Sequence, residues 1–143
     1  MRALVQRVTR ASVAVEGEIV SEIGPGMLVL LGVKKGDTEA EAEKVAAKLL
    51  KLRVFEDGEG RMNEPPGERE ILCISQFTLY GDTRKGRRPS WIHAAPPEQA
   101  EPLIEHLCGA LRELGATVAT GRFRADMAVA LVNDGPVTLL VET

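Results

Sequence analysis

Residues 27–33 read Met-Leu-Val-Leu-Leu-Gly-Val, the most apolar stretch of the chain. The run falls far short of the roughly 20 apolar residues that a membrane-crossing helix needs. A strong turn, Gly24-Pro25-Gly26, stands directly before it. With no polar alternation, the run is predicted to be a strand buried on both faces. Such a strand requires a sheet that is covered on both sides.

The remaining apolar residues repeat with two periods. Strands are expected over residues 1–8, 12–15 and 19–23, the last two joined through a hairpin at Glu16-Gly17-Glu18. Further strands are expected near Val54 and Phe55 and over 71–80, 117–120, 127–133 and 137–142, with Met127, Val129 and Leu131 sharing one face. Helical spacing marks two other stretches. Ala42, Val45, Ala46, Leu49 and Leu50 form one stripe, preceded by Asp37 or Thr38 as cap; Thr38 with Glu41 matches a capping box. Ala100, Leu103, Ile104, Leu107, Leu111 and Leu114 form the other over 97–114, with Gly115 as cap and Pro102 expected to kink or delay the helix. Between them lie a polar loop, 56–70, and a basic loop, 81–90. Asp134-Gly135-Pro136 is expected to turn the chain between its last two strands. Two helices among many strands, without regular alternation, predict one α+β domain over residues 1–143, a mostly antiparallel or mixed sheet with two main helices.

Composition narrows the function. Of 143 residues, 44% are hydrophobic and only 3% aromatic, so the core is built from Val, Leu, Ile and Ala. A net charge of -3 excludes a general polyanion-coating protein but leaves room for a local basic patch. Cys73 and Cys108 lack the partners of a zinc site and are expected as free, buried thiols. His93 and His106 have no histidine or cysteine at ligand spacing, so neither a metal nor a cofactor is expected; His106 is expected at a solvated helix position. Gly24-Pro25-Gly26 and Gly58-Glu59-Gly60 are read as turns, not phosphate loops. The first residues lack the apolar core and cleavage site of a secretory leader, and the expected compartment is the cytoplasm.

Three segments are candidates for chemistry. Ser75-Gln76-Phe77-Thr78 lies near a strand end and offers hydrogen-bond donors without charge, which suits an oxyanion. Thr78 as a nucleophile would need a base, and the motif contains neither histidine nor lysine. Arg84, Lys85, Arg87 and Arg88 cluster just before Trp91, a pairing of cations with an aromatic ring that suits phosphates and bases. Gly135-Pro136 is the third. The trans form is the default at such a bond, cis occurring at only about 5–6% of X-Pro positions, and a cis bond would turn neighbouring carbonyls outward as acceptors for a cation.

Ser75-Gln76-Phe77-Thr78-Leu79 and Asn133-Asp134-Gly135-Pro136-Val137-Thr138 together resemble the signature motifs of the bacterial and eukaryotic D-aminoacyl-tRNA deacylases. The similarity extends through Gln6-Arg7-Val8-Thr9-Arg10-Ala11-Ser12-Val13, Arg88-Pro89-Ser90, Gly121-Arg122-Phe123 and Ala125-Asp126-Met127, and covers essentially the whole chain. Trp91 stands where the family has a smaller aromatic, and the intact first motif favours the D-specific type.

The resemblance implies a homodimeric deacylase-like fold and a metal-free hydrolase that cleaves D-amino acids, and glycine, from the terminal adenosine of tRNA. Ser75, Gln76, Phe77 and Thr78 would line the ester. Gly135 and Pro136, joined by a cis bond, would reach into the partner's site, bind the α-ammonium and exclude an L side chain. Arg7 would brace them, and Phe123 and Met127 would wall the adenosine end. Two other readings stay open: a non-catalytic RNA-binding module on the same fold, and a small-molecule esterase acting through Thr78.

Overall fold

The computed structural model describes residues 1–143. In chain order the elements are β1 (Arg2–Val15), β2 (Glu18–Ile23), β3 (Gly26–Gly32), α1 (Glu39–Lys51), β4 (Phe55–Glu56), β5 (Met62–Glu64), β6 (Glu70–Ser75), α2 (Pro97–Glu113), β7 (Val118–Thr120) and β8 (Ala128–Glu142). A single 3-10 turn, Phe77–Tyr80, follows β6. The main sheet runs β2-β1-β3-β6-β7, and β8 also pairs with β1. β1 is antiparallel to β2, β3 and β8, whereas β3–β6 and β6–β7 are parallel. The sheet is therefore mixed, and with two helices the α+β class is the one observed.

β3 is covered on both faces, as its sequence requires. Met27, Val29 and Leu31 join the larger core with Val45, Leu49, Leu107 and Leu111 of the helices. Leu28 points into a second core with Val8, Val13 and Ile23. β6 divides in the same way, with Ile71 and Cys73 on the helix side and Leu72 and Ile74 in the second core. Met127, Val129 and Leu131 pack against that second core, so the sheet curls into a nearly closed, barrel-like form.

Local signals set the helix ends. The Thr38 N–H and hydroxyl both donate to the Glu41 carboxylate at 2.6 Å. These bonds hold the Glu41 carboxyl down to about 2. α2 closes with Gly115 at φ 96°, its N–H donating to the Arg112 carbonyl at 2.9 Å while the Ala116 N–H reaches the Leu111 carbonyl at 3.0 Å. That pair of bonds satisfies two carbonyls that the helix end would otherwise leave open. α2 begins at Pro97 and runs through Pro102 without starting late. His106 is not simply solvated, because its Nε2 meets Glu43 of α1 at 3.0 Å. Both cysteines are free and buried.

Four expectations are corrected. Residues 1–8 and 12–15 belong to one strand, β1, and the polar Thr9-Arg10 interruption falls where its register with β8 shifts. The run over 71–80 is a strand only to Ser75 and then tightens into the 3-10 turn. The polar loop 56–70 contains β5, which pairs with β4 as a small separate ribbon. Asp134-Gly135-Pro136 does not turn the chain between two strands. It lies within β8, which continues along the same partner. Gln6 faces Thr138 and Val8 faces Asn133, so β8 carries extra residues there and bulges from the ladder. Pro136 has no N–H to give a ladder, so the bulge is where it can be accommodated.

Leu107 is fully buried between the helix pair and the sheet, while Leu114 at the end of the same stripe is 60% exposed. Leu107→Ala is expected to lower the unfolding free energy by about 2–5 kcal/mol. Leu114→Ala should change it by no more than about 0.5 kcal/mol. Urea titration of both variants checks the contrast.

Candidate active site

β3 and β6 run parallel and end level with one another, Leu31 opposite Ser75. Beyond that point the Gln76 N–H donates to the Leu31 carbonyl at 2.7 Å and the chain folds into the 3-10 turn. Gly32 makes room for it: a Cβ there would lie 3.1 Å from Leu79 Cβ and 3.2 Å from the Gln76 oxygen. Arg2 fastens the turn from β1, donating from Nη1 to the Leu79 carbonyl at 2.7 Å and lying 4.6 Å over the Tyr80 ring. Burial, and then the nearby Asp37 carboxylate, push the Tyr80 phenol up to about 12, so it stays protonated at neutral pH.

A cleft of about 530 Å³ opens at these strand ends. Ser75, Gln76 and Phe77 line it from the segment after β6, Phe123 and Met127 from the segment before β8, and Ala100 and Ile104 from α2. Gly121 lets the lining close up, since a Cβ there would sit 2.6 Å from Met127 Sδ and 3.0 Å from Ile74 Cδ1. Five of the residues singled out in the sequence thus come together. Thr78 is exposed beside the cleft, and its hydroxyl accepts a hydrogen bond from the Gln76 amide. No three His, Cys, Asp or Glu side chains gather where a metal would need them.

Arg7, Gly135 and Pro136 form a separate locus. Val129 lines the cleft, and Gly135 stands six residues further along β8. None of Arg7, Gly135 and Pro136 is among the residues that line the cleft of their own chain. The Gly135-Pro136 bond is cis. Two side chains hold the bulge. Arg7, only 4% exposed, donates from Nε to the Asp134 carbonyl at 3.1 Å and from Nη1 to the Val54 carbonyl at 2.5 Å. It also pairs with the Asp134 carboxylate at 3.0 Å. Asn133 donates from Nδ2 to the carbonyls of Arg7 at 2.9 Å and Val137 at 3.1 Å, tying the two ends of the bulge together.

The basic loop is pinned at its base, where Asp82 and Ser90 exchange backbone hydrogen bonds of 2.8 and 2.9 Å. Arg84 is not free within it: Nε and Nη2 both donate to Asp82, at 2.9 and 2.6 Å. The Arg84 guanidinium and backbone N–H hold the Asp82 carboxyl well below the usual carboxylate range. Lys85, Arg87 and Arg88 are exposed and make no ion pair.

Sequence reasoning missed Asn133, Arg2 and Gly32. Asn133 stood inside a quoted motif, yet its role requires knowing that the following residues leave the ladder. Arg2 and Gly32 act through contacts distant in the chain, for which a single sequence offers no signal.

Arg7→Met should leave the buried Val54 carbonyl and the partly buried Asp134 carbonyl without this donor and cost about 1–3 kcal/mol in urea unfolding. Asp82 sets a pH window. Its folded pKa is depressed, so the loop contact persists above the ordinary aspartate value of about 3.8–3.9 and is lost only as pH falls below it. An NMR titration should find the Asp82 midpoint well below that value; an ordinary midpoint would refute the Arg84 clamp.

Residues 4–142 match the family model described as D-Tyr-tRNA(Tyr) deacylase. A protein of Myxococcus xanthus (strain DK1622) named D-aminoacyl-tRNA deacylase is 61% identical over 145 residues, covering 100% of this chain and 95% of the relative. One of the same name from Heliobacterium modesticaldum (strain ATCC 51547 / Ice1) is 56% identical, covering 99% and 96%. Among solved structures, the c-Myc DNA Unwinding Element Binding Protein superposes with a TM-score of 0.95 at 45% identity, covering 100% of this chain and 99% of that one. A structure described as a probable eukaryotic D-amino acid tRNA deacylase shares the fold, with a TM-score of 0.81 at 18% identity over 98% and 97%. By its match over nearly its full length and its identity to these relatives, the chain belongs to the D-Tyr-tRNA(Tyr) deacylase family.

Proposed function

We propose that this chain hydrolyses the ester between a D-amino acid and the terminal adenosine of tRNA, acts likewise on glycine carried by tRNA, and rejects L-aminoacyl-tRNA. One observation carries the reading: Ser75, Gln76 and Phe77 meet Phe123 and Met127 in one cleft, in a chain 61% identical to a D-aminoacyl-tRNA deacylase.

The aminoacyl ester is already activated, so the protein's part is to position it and to stabilise charge on its carbonyl oxygen. Water adds to the carbonyl carbon. The N–H groups of Phe77 and Thr78 open the 3-10 turn, where no intrahelical acceptor takes them, and they face the developing oxyanion. Collapse breaks the bond to the ribose oxygen, which leaves with a proton from the attacking water. The neighbouring ribose hydroxyl assists the transfer. The products are the free D-amino acid and tRNA. Thr78 is a contact residue in this scheme. Its hydroxyl has only the Gln76 amide as side-chain partner, which is no base.

Selection for handedness comes from a second copy of the chain. Gly135 and Pro136 do not line the cleft of their own chain. β8 has a free edge, since it pairs with β1 alone. In a homodimer the bulge enters the partner's cleft, its carbonyls receive the α-ammonium, and an L side chain collides with it while a D side chain points away. Arg7 and Asn133 keep the bulge rigid. Lys85, Arg87 and Arg88 follow the phosphates of the acceptor end, with Arg84 held by Asp82. The compartment is that of the tRNA pool, the cytoplasm.

Charged tRNA tests the reading. Substoichiometric protein is expected to release D-tyrosine and glycine with turnover while L-tyrosyl-tRNA persists, and Thr78→Ala should keep most of the activity. Equal rates on D and L esters would overturn the selection mechanism. Loss of all turnover in Thr78→Ala would restore the covalent alternative. Sedimentation under assay conditions should show a dimer; an active monomer would refute the shared site.

A further inference from the structure

Phe77 and Trp91 stand at the cleft's edge with 56% and 42% of their surface exposed, although large aromatics are ordinarily buried. They form an edge-to-face pair, ring centroids 5.2 Å apart and planes inclined at 65°. The indole is held from behind by Gly81, where a Cβ would come within 2.6 Å of its Cζ3. Phe77 itself lines the cleft, and the chain after Trp91 continues to Ala95 and Pro97, which line it too. On the other side, Trp91 adjoins the loop that presents Lys85, Arg87 and Arg88 on a chain of net charge -3. A fixed, exposed aromatic pair between a cleft and a cluster of unpaired cations has the make-up of a single-strand nucleic-acid groove: rings for bases, cations for phosphates.

We propose that Trp91, backed by Phe77, is the stacking platform for the unpaired base next to the terminal adenosine. The terminal nucleotide enters the cleft, the preceding base lies on the indole, and the phosphates beyond run along Lys85, Arg87 and Arg88. This deepens the deacylase reading and rests on it. Trp91 touches the nucleic acid and not the ester, so it governs binding and leaves the chemical step alone. A protein partner on the same patch would have to leave three neighbouring cations without partners or bring acidic groups of its own; a nucleic-acid strand supplies both requirements in one molecule.

Trp91 is the chain's single tryptophan, so its emission reports directly on the site. Titration with a short single-stranded RNA ending in CCA is expected to quench that emission. An oligonucleotide of abasic sugars should leave it unchanged. Trp91→Ala should raise KM for D-tyrosyl-tRNA by about 5- to 100-fold, the range that the loss of one base stack produces, with kcat nearly constant. Trp91→Phe, which keeps a ring, should recover most of that loss and serves as the control for folding. Emission unmoved by the CCA strand, in protein that still hydrolyses D-tyrosyl-tRNA, would overturn the platform and leave the deacylase reading standing. Emission that follows protein concentration instead of RNA would assign the patch to a second copy of the chain and equally overturn it. Failure of the protein to act on any D-aminoacyl-tRNA would strike the underlying reading instead.

Discussion

Burial of β3 and β6 on both faces is the constraint on which the rest depends. Neither strand has a polar side to give to water, so the chain must cover the sheet twice, once with the helix pair and once with its own curl. That double cover fixes where an opening can occur. Both faces of β3 and β6 are covered, and the parallel strands release the chain together at their carboxyl ends. Ligand sites outside the carboxyl ends of parallel strands are a general property of such sheets. Here the same geometry arises from just three parallel strands inside an otherwise antiparallel frame.

Polar side chains in this molecule serve mainly to hold main chain. Arg2 grips the carbonyl of Leu79, Arg7 those of Asp134 and Val54, and Asn133 those of Arg7 and Val137. Glycine complements them by letting backbone and rings approach, at Gly32 beneath the 3-10 turn and at Gly81 beneath the indole. Main-chain amides and carbonyls at the 3-10 turn and the bulge are thereby fixed in position. On the proposed function, preorganised dipoles of this kind suit a substrate that is already reactive and needs orientation more than activation.

Much of the fold was legible because local chemistry and tertiary demand coincide. The capping box at Thr38 and Glu41, Gly115 after α2, and the two-sided run after Pro25 each specify their own surroundings. The site was legible in part. Ser75, Gln76, Phe77, Phe123 and Met127 do share one cleft, but pattern alone did not bring them there; motif resemblance did. Two local readings failed for the same reason. Asp134-Gly135-Pro136 has turn composition, yet β1 continues past it as a partner and converts the turn into a bulge. Residues 76–80 have strand composition, yet Gly32 opens space into which the chain tightens. In both places a neighbouring strand decided the conformation, and a single sequence does not show which strand will be the neighbour.

α2 belongs to two environments at once. Leu103, Leu107 and Leu111 are packed in the interior, while Ala100 and Ile104 border the cleft. Both sets belong to one stripe of α2, so a change of volume deeper in the core is passed along the helix to the part of that stripe that borders the cleft. Selection that needed a wider or narrower opening would have a route through interior residues that never meet a ligand, and variation in substrate range among relatives would then leave its mark in hydrophobic positions far from any signature motif.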